Sequence, residues 1–159
     1  MRILVLAPFG ATEPYGEENM ARVARPGTQF RFECLKEVFP LPYNTYRYNT
    51  MKCTDGFVER AVKAENEGYD AIVSSCMFDP GVFEARGVVD IPVVGTMEAS
   101  AMMALMMGQM FSVVCPDQVV ASVLRRLLSG YGVMDRCASL RHIDIVACNL
   151  YPEITPTAE

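Results

Sequence analysis

Short unbroken apolar runs recur along this chain, each parted from the next by turn residues and a segment of helical character. RILVLA at 2–7, DAIVSS at 70–75, IPVVG at 91–95 and FSVVC at 111–115 are too short for helices and too continuously apolar for strands wetted on one face. They read as strands buried on both faces, as in a parallel sheet. Between them, DGFVERAVKAENEG carries Phe57, Val58, Ala61, Val62 and Ala64 on one broad face and stops at Gly68, which predicts a helix from about Thr54. EASAMMALMMG and DQVVASVLRRLLSGYG predict two more, and SLRHIDIVAC a final strand. TQFRFECL alternates as a strand, and a short helix is expected from about Glu17 to the residue before Pro26. The run PLPYNTYRYNT has no period and reads as a long surface loop.

The alternation predicts an α/β fold, a mostly parallel sheet with helices on both faces, with ligands held beyond the carboxyl ends of the strands. Three loops then share one rim: Pro8 to Thr12, Cys76 to Asp79, and Cys115 to Asp117. The 159 residues allow one domain or two small lobes, set here as 1–95, carrying Cys76, and 96–159, a partial second lobe.

Composition removes several classes of function. A net charge of -5 with 14 scattered basic residues gives no footprint for a phosphate backbone, so nucleic acid is not an expected partner. The apolar stretch PVVGTMEASAMMALMMGQMFSVVC is punctuated by Gly95 and Gly108 and reads as strand, helix, turn and strand, not as a membrane span. MRILVLAPFG passes straight into a strand without the pattern of a secretory signal, so a reducing, cytoplasmic setting is expected. The six cysteines contain no CxxC pair and have one histidine for company, which leaves neither zinc spacing nor a dithiol. No GxGxxG or GxxxxGK[ST] follows a strand, and no cofactor is implied.

A reactive cysteine must therefore act singly. Cys34, Cys53, Cys137 and Cys148 read as core filler. Cys76 stands where a strand ends and a helix begins, where a helix N-terminus lowers a thiol pKa. Asp79 and Pro80 fit the N-cap and first position of that helix. Cys115 occupies a similar place, but Pro116 removes one N–H donor from the turn after it. Glu98 opens the next helix, where it complements the dipole and can face a pocket. His142 reads as structural, with no second histidine or paired carboxylate near it, and the methionines from Met102 to Met110 as adaptable core packing.

SSCMFDPGVFEARGVVDIPVVGTMEAS, AENEGYDAIV, FSVV and YGVMDRCASLRHIDI together resemble the hydantoin racemase branch of the aspartate/glutamate racemase superfamily over most of the chain. The resemblance implies two pseudo-symmetric α/β lobes, a small-molecule site between them, and cofactor-independent proton transfer at a carbon next to a carbonyl. Cys76 matches the first catalytic cysteine. One thiol removes a proton and another delivers one to the opposite face, while backbone N–H groups hold the developing enolate. By position those donors come from Met77 and from the Pro8, Phe9, Gly10 loop, with Asp79 and Glu98 as further substrate contacts. The implied second cysteine lies in a late Gly-Cys motif, which does not occur before YPEITPTAE. APFGAT also lacks the family's asparagine, and Cys115 stands where a threonine follows FSVV. Three expectations follow: a racemase whose chain continues past Glu159 or that uses Cys115 as second acid/base, a one-thiol decarboxylase, or a truncated binding protein. An open lobe face would favour a homo-oligomer.

Overall fold

A computed structural model describes residues 1–7, 20, 22–35 and 47–145. Four parallel strands, β1 (Arg2–Ala7), β2 (Gln29–Cys34), β3 (Ala71–Ser74) and β4 (Val93–Val94), form one sheet in the order β2-β1-β3-β4. Two more, β5 (Phe111–Cys115) and β6 (Cys137–His142), pair in parallel as a second sheet. The helices are α1 (Arg47–Asn66), α2 (Val82–Ala85), α3 (Thr96–Met107) and α4 (Gln118–Gly130).

Leu4, Val5 and Leu6 of β1 are all 0% exposed, which is why its sequence does not alternate: the strand lies inside the sheet with both faces covered. The chain goes from β1 to β2 on one side and then to β3 on the other, so the winding reverses between β1 and β3. A crevice opens beyond the carboxyl ends of strands at such a point.

Helix α1 starts seven residues earlier than expected, at Arg47, so the end of the Pro, Asn and Tyr-rich run is helical and not loop. Its buried stripe, Asn49, Cys53, Phe57, Ala61 and Ala64, extends back through residues of modest helix propensity, and tertiary packing decides the boundary. It ends as expected: Gly68 takes φ 79°, Tyr69 N–H reaches the Ala64 carbonyl at 3.1 Å, and Gly68 N–H reaches Glu65 at 3.0 Å. The part of that run before Arg47 lies outside the described residues, as does most of the helix expected from Glu17; residues 22–24 are turn and bend.

The long apolar stretch resolves into β4, α3 and β5, and no helix among the described residues is long and apolar enough to cross a membrane. In α3, however, only Met97 and Ala101 are buried, while Met106 and Met107 are 80% and 85% exposed. The methionine run is thus a surface face and not core, because the second sheet has only two strands among the described residues and leaves that side of α3 open. Asp117 caps α4 by accepting the Val120 N–H at 2.9 Å, and Leu124 and Leu128 are fully buried, each contributing roughly 1.5–3 kcal/mol by leaving water.

Buried side chains collect in two clusters. One packs Leu4, Leu6, Phe57, Ile72 and Val82 around the first sheet; the other packs Phe78, Met97, Cys115, Leu124 and Leu128 around the second. Phe78 belongs by sequence to the loop after β3 but is buried in the second cluster, and Cys76 packs against it.

Candidate functional site

The loop from Ser75 to Gly81 leaves the carboxyl end of β3 beside the point where the winding reverses. The Thr96 hydroxyl donates to the Ser74 carbonyl and ties the strand's last residue to the first residue of α3. Ser75 N–H extends the β1 ladder to the Leu6 carbonyl at 2.9 Å. Cys76 follows, half-buried, and its Sγ accepts the Phe78 N–H at 3.5 Å. The Asp79 N–H returns to the Cys76 carbonyl at 3.0 Å, which closes a tight turn around the thiol.

Asp79 does not cap the helix that follows it. That helix is one turn, Val82–Ala85, entered through Gly81 at φ 77°. Asp79 itself sits at φ 44°, a left-handed conformation unusual for a residue with a side chain. Its carboxylate instead reaches forward to α3, where Oδ1 accepts from Met97 N–H at 3.1 Å and Oδ2 from Glu98 N–H at 2.9 Å. The Tyr131 hydroxyl donates to the same Oδ2 at 2.7 Å. These three bonds occupy the carboxylate that the sequence offered as a substrate contact.

With so short a helix beyond it, Cys76 lacks the dipole expected to lower its pKa. The thiol is pushed up to about 12: burial is the largest cause, the Phe78 N–H opposes it, and the nearby charges of Asp79 and Cys53 add to it. Part of the residue reaches the surface, yet the sulfur lies among protein atoms, and desolvation prevails. Burial therefore favours the thiol over the thiolate.

The other candidates fall in different places. Met77 is 36% exposed at the lip of the loop. Glu98 is paired with Arg86 through two bonds, Nη2 to Oε2 at 2.5 Å and Nη1 to Oε1 at 3.2 Å, while Arg86 Nε donates to the Val93 carbonyl at 2.9 Å. Cys115 is 3% exposed inside the second core, where its thiol donates to the carbonyls of Arg141 at 3.4 Å and Asp117 at 3.7 Å. Burial and the Asp117 charge raise its pKa too. Pro8, Phe9 and Gly10 lie outside the described residues. His142 does have a carboxylate partner, Asp144 at 2.7 Å, overlooked because it stands only two residues on in a segment read as strand. Among the described residues no three His, Cys, Asp or Glu side chains converge as a metal set.

Sequence reasoning missed Tyr131, Gly95 and Arg86. Tyr131 follows α4 at a turn closed by Gly132 at φ 71°, where Val133 N–H reaches the Leu128 carbonyl at 3.0 Å. The glycines around it mark the helix end in the sequence, but nothing there pairs it with Asp79. Its ring stacks on Phe83 with centroids 5.4 Å apart.

A profile of the Asp/Glu/hydantoin racemase family matches residues 3–156. The hydantoin racemase of Pseudomonas sp. (strain NS671) is 38% identical over 127 residues, which are 79% of this chain and 50% of that protein. The allantoin racemase from Klebsiella pneumoniae superposes with a TM-score of 0.84 at 30% identity, covering 94% of this chain and 61% of the other. That from Pseudomonas fluorescens gives 0.80 at 26% identity, covering 96% and 65%. The chain thus spans about half the length of the Pseudomonas hydantoin racemase and under two thirds of either allantoin racemase. With its parallel sheet, its thiol loop at the reversal of the winding and a profile match over nearly all its length, the chain belongs to the Asp/Glu/hydantoin racemase family.

Proposed function

We propose that this protein takes part in cofactor-independent racemisation or isomerisation at a carbon next to a carbonyl, with Cys76 as one proton-transfer group. The substrate class is a hydantoin-like cyclic amide or an amino-acid-like acid. The observation that carries this reading is the place of Cys76: a thiol on a tight turn beyond β3, at the reversal of the winding. A protonated thiol delivers its proton to one face of a planar enolate and becomes a thiolate; a second base takes the original proton from the opposite face. In the reverse direction the thiolate removes the proton and the second group returns one. Cys115 fits that second role poorly, since its S–H is buried and given to backbone carbonyls. The two apolar clusters support a division into lobes at 1–95 and 96–159, with Cys76 and Phe78 crossing into the second core. The exposed methionines of α3 support association with further copies, and the reading remains that of a cytoplasmic protein acting on a small molecule.

The test is solvent-deuterium exchange at the α-carbon of single enantiomers of 5-substituted hydantoins and of allantoin, followed by NMR together with loss of optical activity. Cys76→Ser is expected to lower the rate by about a hundredfold or more. Full activity in that variant would remove Cys76 from the chemistry. The buried state of Cys115 favours a second reading, one-face protonation after decarboxylation, in which carbon dioxide leaves and Cys76 protonates the enolate. A malonate-type acid that loses carbon dioxide, with no exchange in hydantoins, would select it.

A further inference from the structure

The chemistry proposed above leaves one buried charge without a role. Asp79 is 4% exposed, and its carboxylate accepts two N–H groups from the first turn of α3 and the hydroxyl of Tyr131 from beyond α4. Both elements contribute to the second core, through Met97 and through Leu124 and Leu128. The backbone of the same aspartate is bonded to the Cys76 carbonyl at 3.0 Å and held at φ 44°. A left-handed non-glycine residue persists where its surroundings over-determine it, and here the three side-chain bonds do so. Room has been left for them: at Gly95 a Cβ would lie 2.5 Å from Asp79 Oδ2, although that glycine's φ of -86° suits any residue.

We propose that Asp79 is the positioning residue of the thiol site, its carboxylate clamping the Cys76 turn to the start of α3 and to Tyr131 so that the second core sets the thiol's direction. The inference rests on Cys76 as the proton-transfer group and adds what aims it. Proton transfer tolerates only a small error in placement, so a turn free to leave its left-handed conformation would lose rate before it lost the fold. The carboxylate's charge also acts on the Cys76 thiol and adds to the larger effect of burial in disfavouring the thiolate. The groups whose charges act on Cys76 are Asp79 from its own turn and Cys53 from α1, with the Phe78 N–H opposing them. Around Asp79 stand Tyr131, and beyond it Glu98 and Arg86.

Tyr131→Phe and Asp79→Asn in the full chain test this, with iodoacetamide labelling of each cysteine followed by peptide mass spectrometry across a pH series. Circular dichroism and the urea midpoint report the fold. Tyr131→Phe removes one bond and leaves the two caps on α3, and it is expected to change the Cys76 labelling rate by about tenfold while the other thiols keep theirs. Asp79→Asn is expected to move the Cys76 labelling midpoint to lower pH, again without moving the others. A purely structural aspartate would shift every thiol together with the urea midpoint and leave the Cys76 midpoint in place, which overturns the proposal. Where Asp79→Asn does not fold, Tyr131→Phe decides alone, and an unchanged Cys76 rate in it overturns the proposal. Labelling needs no turnover, so the two readings fail separately. A Cys76 shift in the variants, with a wild type that exchanges no substrate proton, sinks the racemase reading and keeps the clamp as what positions the thiol. Exchange in the wild type with unmoved labelling in both variants does the reverse.

Discussion

Replacing Gly95 with alanine adds one carbon 2.5 Å from Asp79 Oδ2, 2.6 Å from its Cγ and 3.0 Å from Oδ1. Backbone strain does not enter, since φ -86° and ψ 138° are open to alanine, and the stiffer unfolded chain favours folding by about 0.5 kcal/mol. The methyl group and the carboxylate cannot share the space, so the carboxylate must leave. Losing the cap on α3 costs about 1–2 kcal/mol, and losing the charge-assisted bond from Tyr131 about 1.5 kcal/mol. Water regains part of the α3 N-terminus, and the net loss is about 2–3 kcal/mol. With a urea slope of roughly 1.5–2 kcal/mol per molar for a chain of this size, the midpoint falls by about 1–2 M. Gly108→Ala is the control: it is also extended, at φ -157°, and its Cβ would meet nothing nearer than the Met110 carbonyl at 3.5 Å. Urea unfolding followed by circular dichroism measures both. A Gly95→Ala midpoint equal to that of the control would refute the reasoning, since Asp79 would then not need the space.

Gly81→Ala combines a φ of 77° with a Cβ 2.9 Å from Phe57 Cβ, and a urea titration should show a loss of at least about 2 kcal/mol. Arg60 clamps Glu33 through bonds of 2.6 and 2.9 Å and holds its carboxyl below the usual range, so that contribution is present above pH 4.5 and lost as pH falls through the lowered value. Glu33→Gln should accordingly cost about 1–2 kcal/mol at neutral pH and flatten the acid limb of stability against pH. The Cys76 thiol, raised from 9.0 to about 12, favours the fold fully below pH 9 and loses that contribution as pH rises toward 12; its alkylation should be slow at neutral pH and climb over the same window. Cys115→Ser should leave Cys76 labelling and α-exchange unchanged, and a hundredfold drop in exchange would return Cys115 to the chemistry.

β1 was legible because burial on both faces leaves a mark in the chain itself, the run RILVLA, whereas β4 and β5 carry similar runs with one face open, Val94 and Val114 being exposed. The helix end at Gly68 was legible from an equally local signal, a glycine free to take a positive φ. Asp79 was misassigned by that logic: Asp before Pro satisfies the rule for capping the next helix, but the rule cannot show that the helix is one turn long or that another N-terminus lies within reach. The start of α1 was missed because Asn49 and Cys53 become helical through what they pack against, and not by propensity.

By itself the sequence determined a parallel α/β fold, the strand that delivers Cys76 to its carboxyl end, and the residues that carry the family likeness, since all three depend on patterns between near neighbours. Tertiary structure alone decided that burial raises the Cys76 pKa and no long helix lowers it, that Cys115 is buried, and that Asp79, Gly95 and Tyr131 meet. Desolvation and hydrogen bonds between residues as far apart as Asp79 and Tyr131 depend on distances in space, and a sequence records only the distance along the chain.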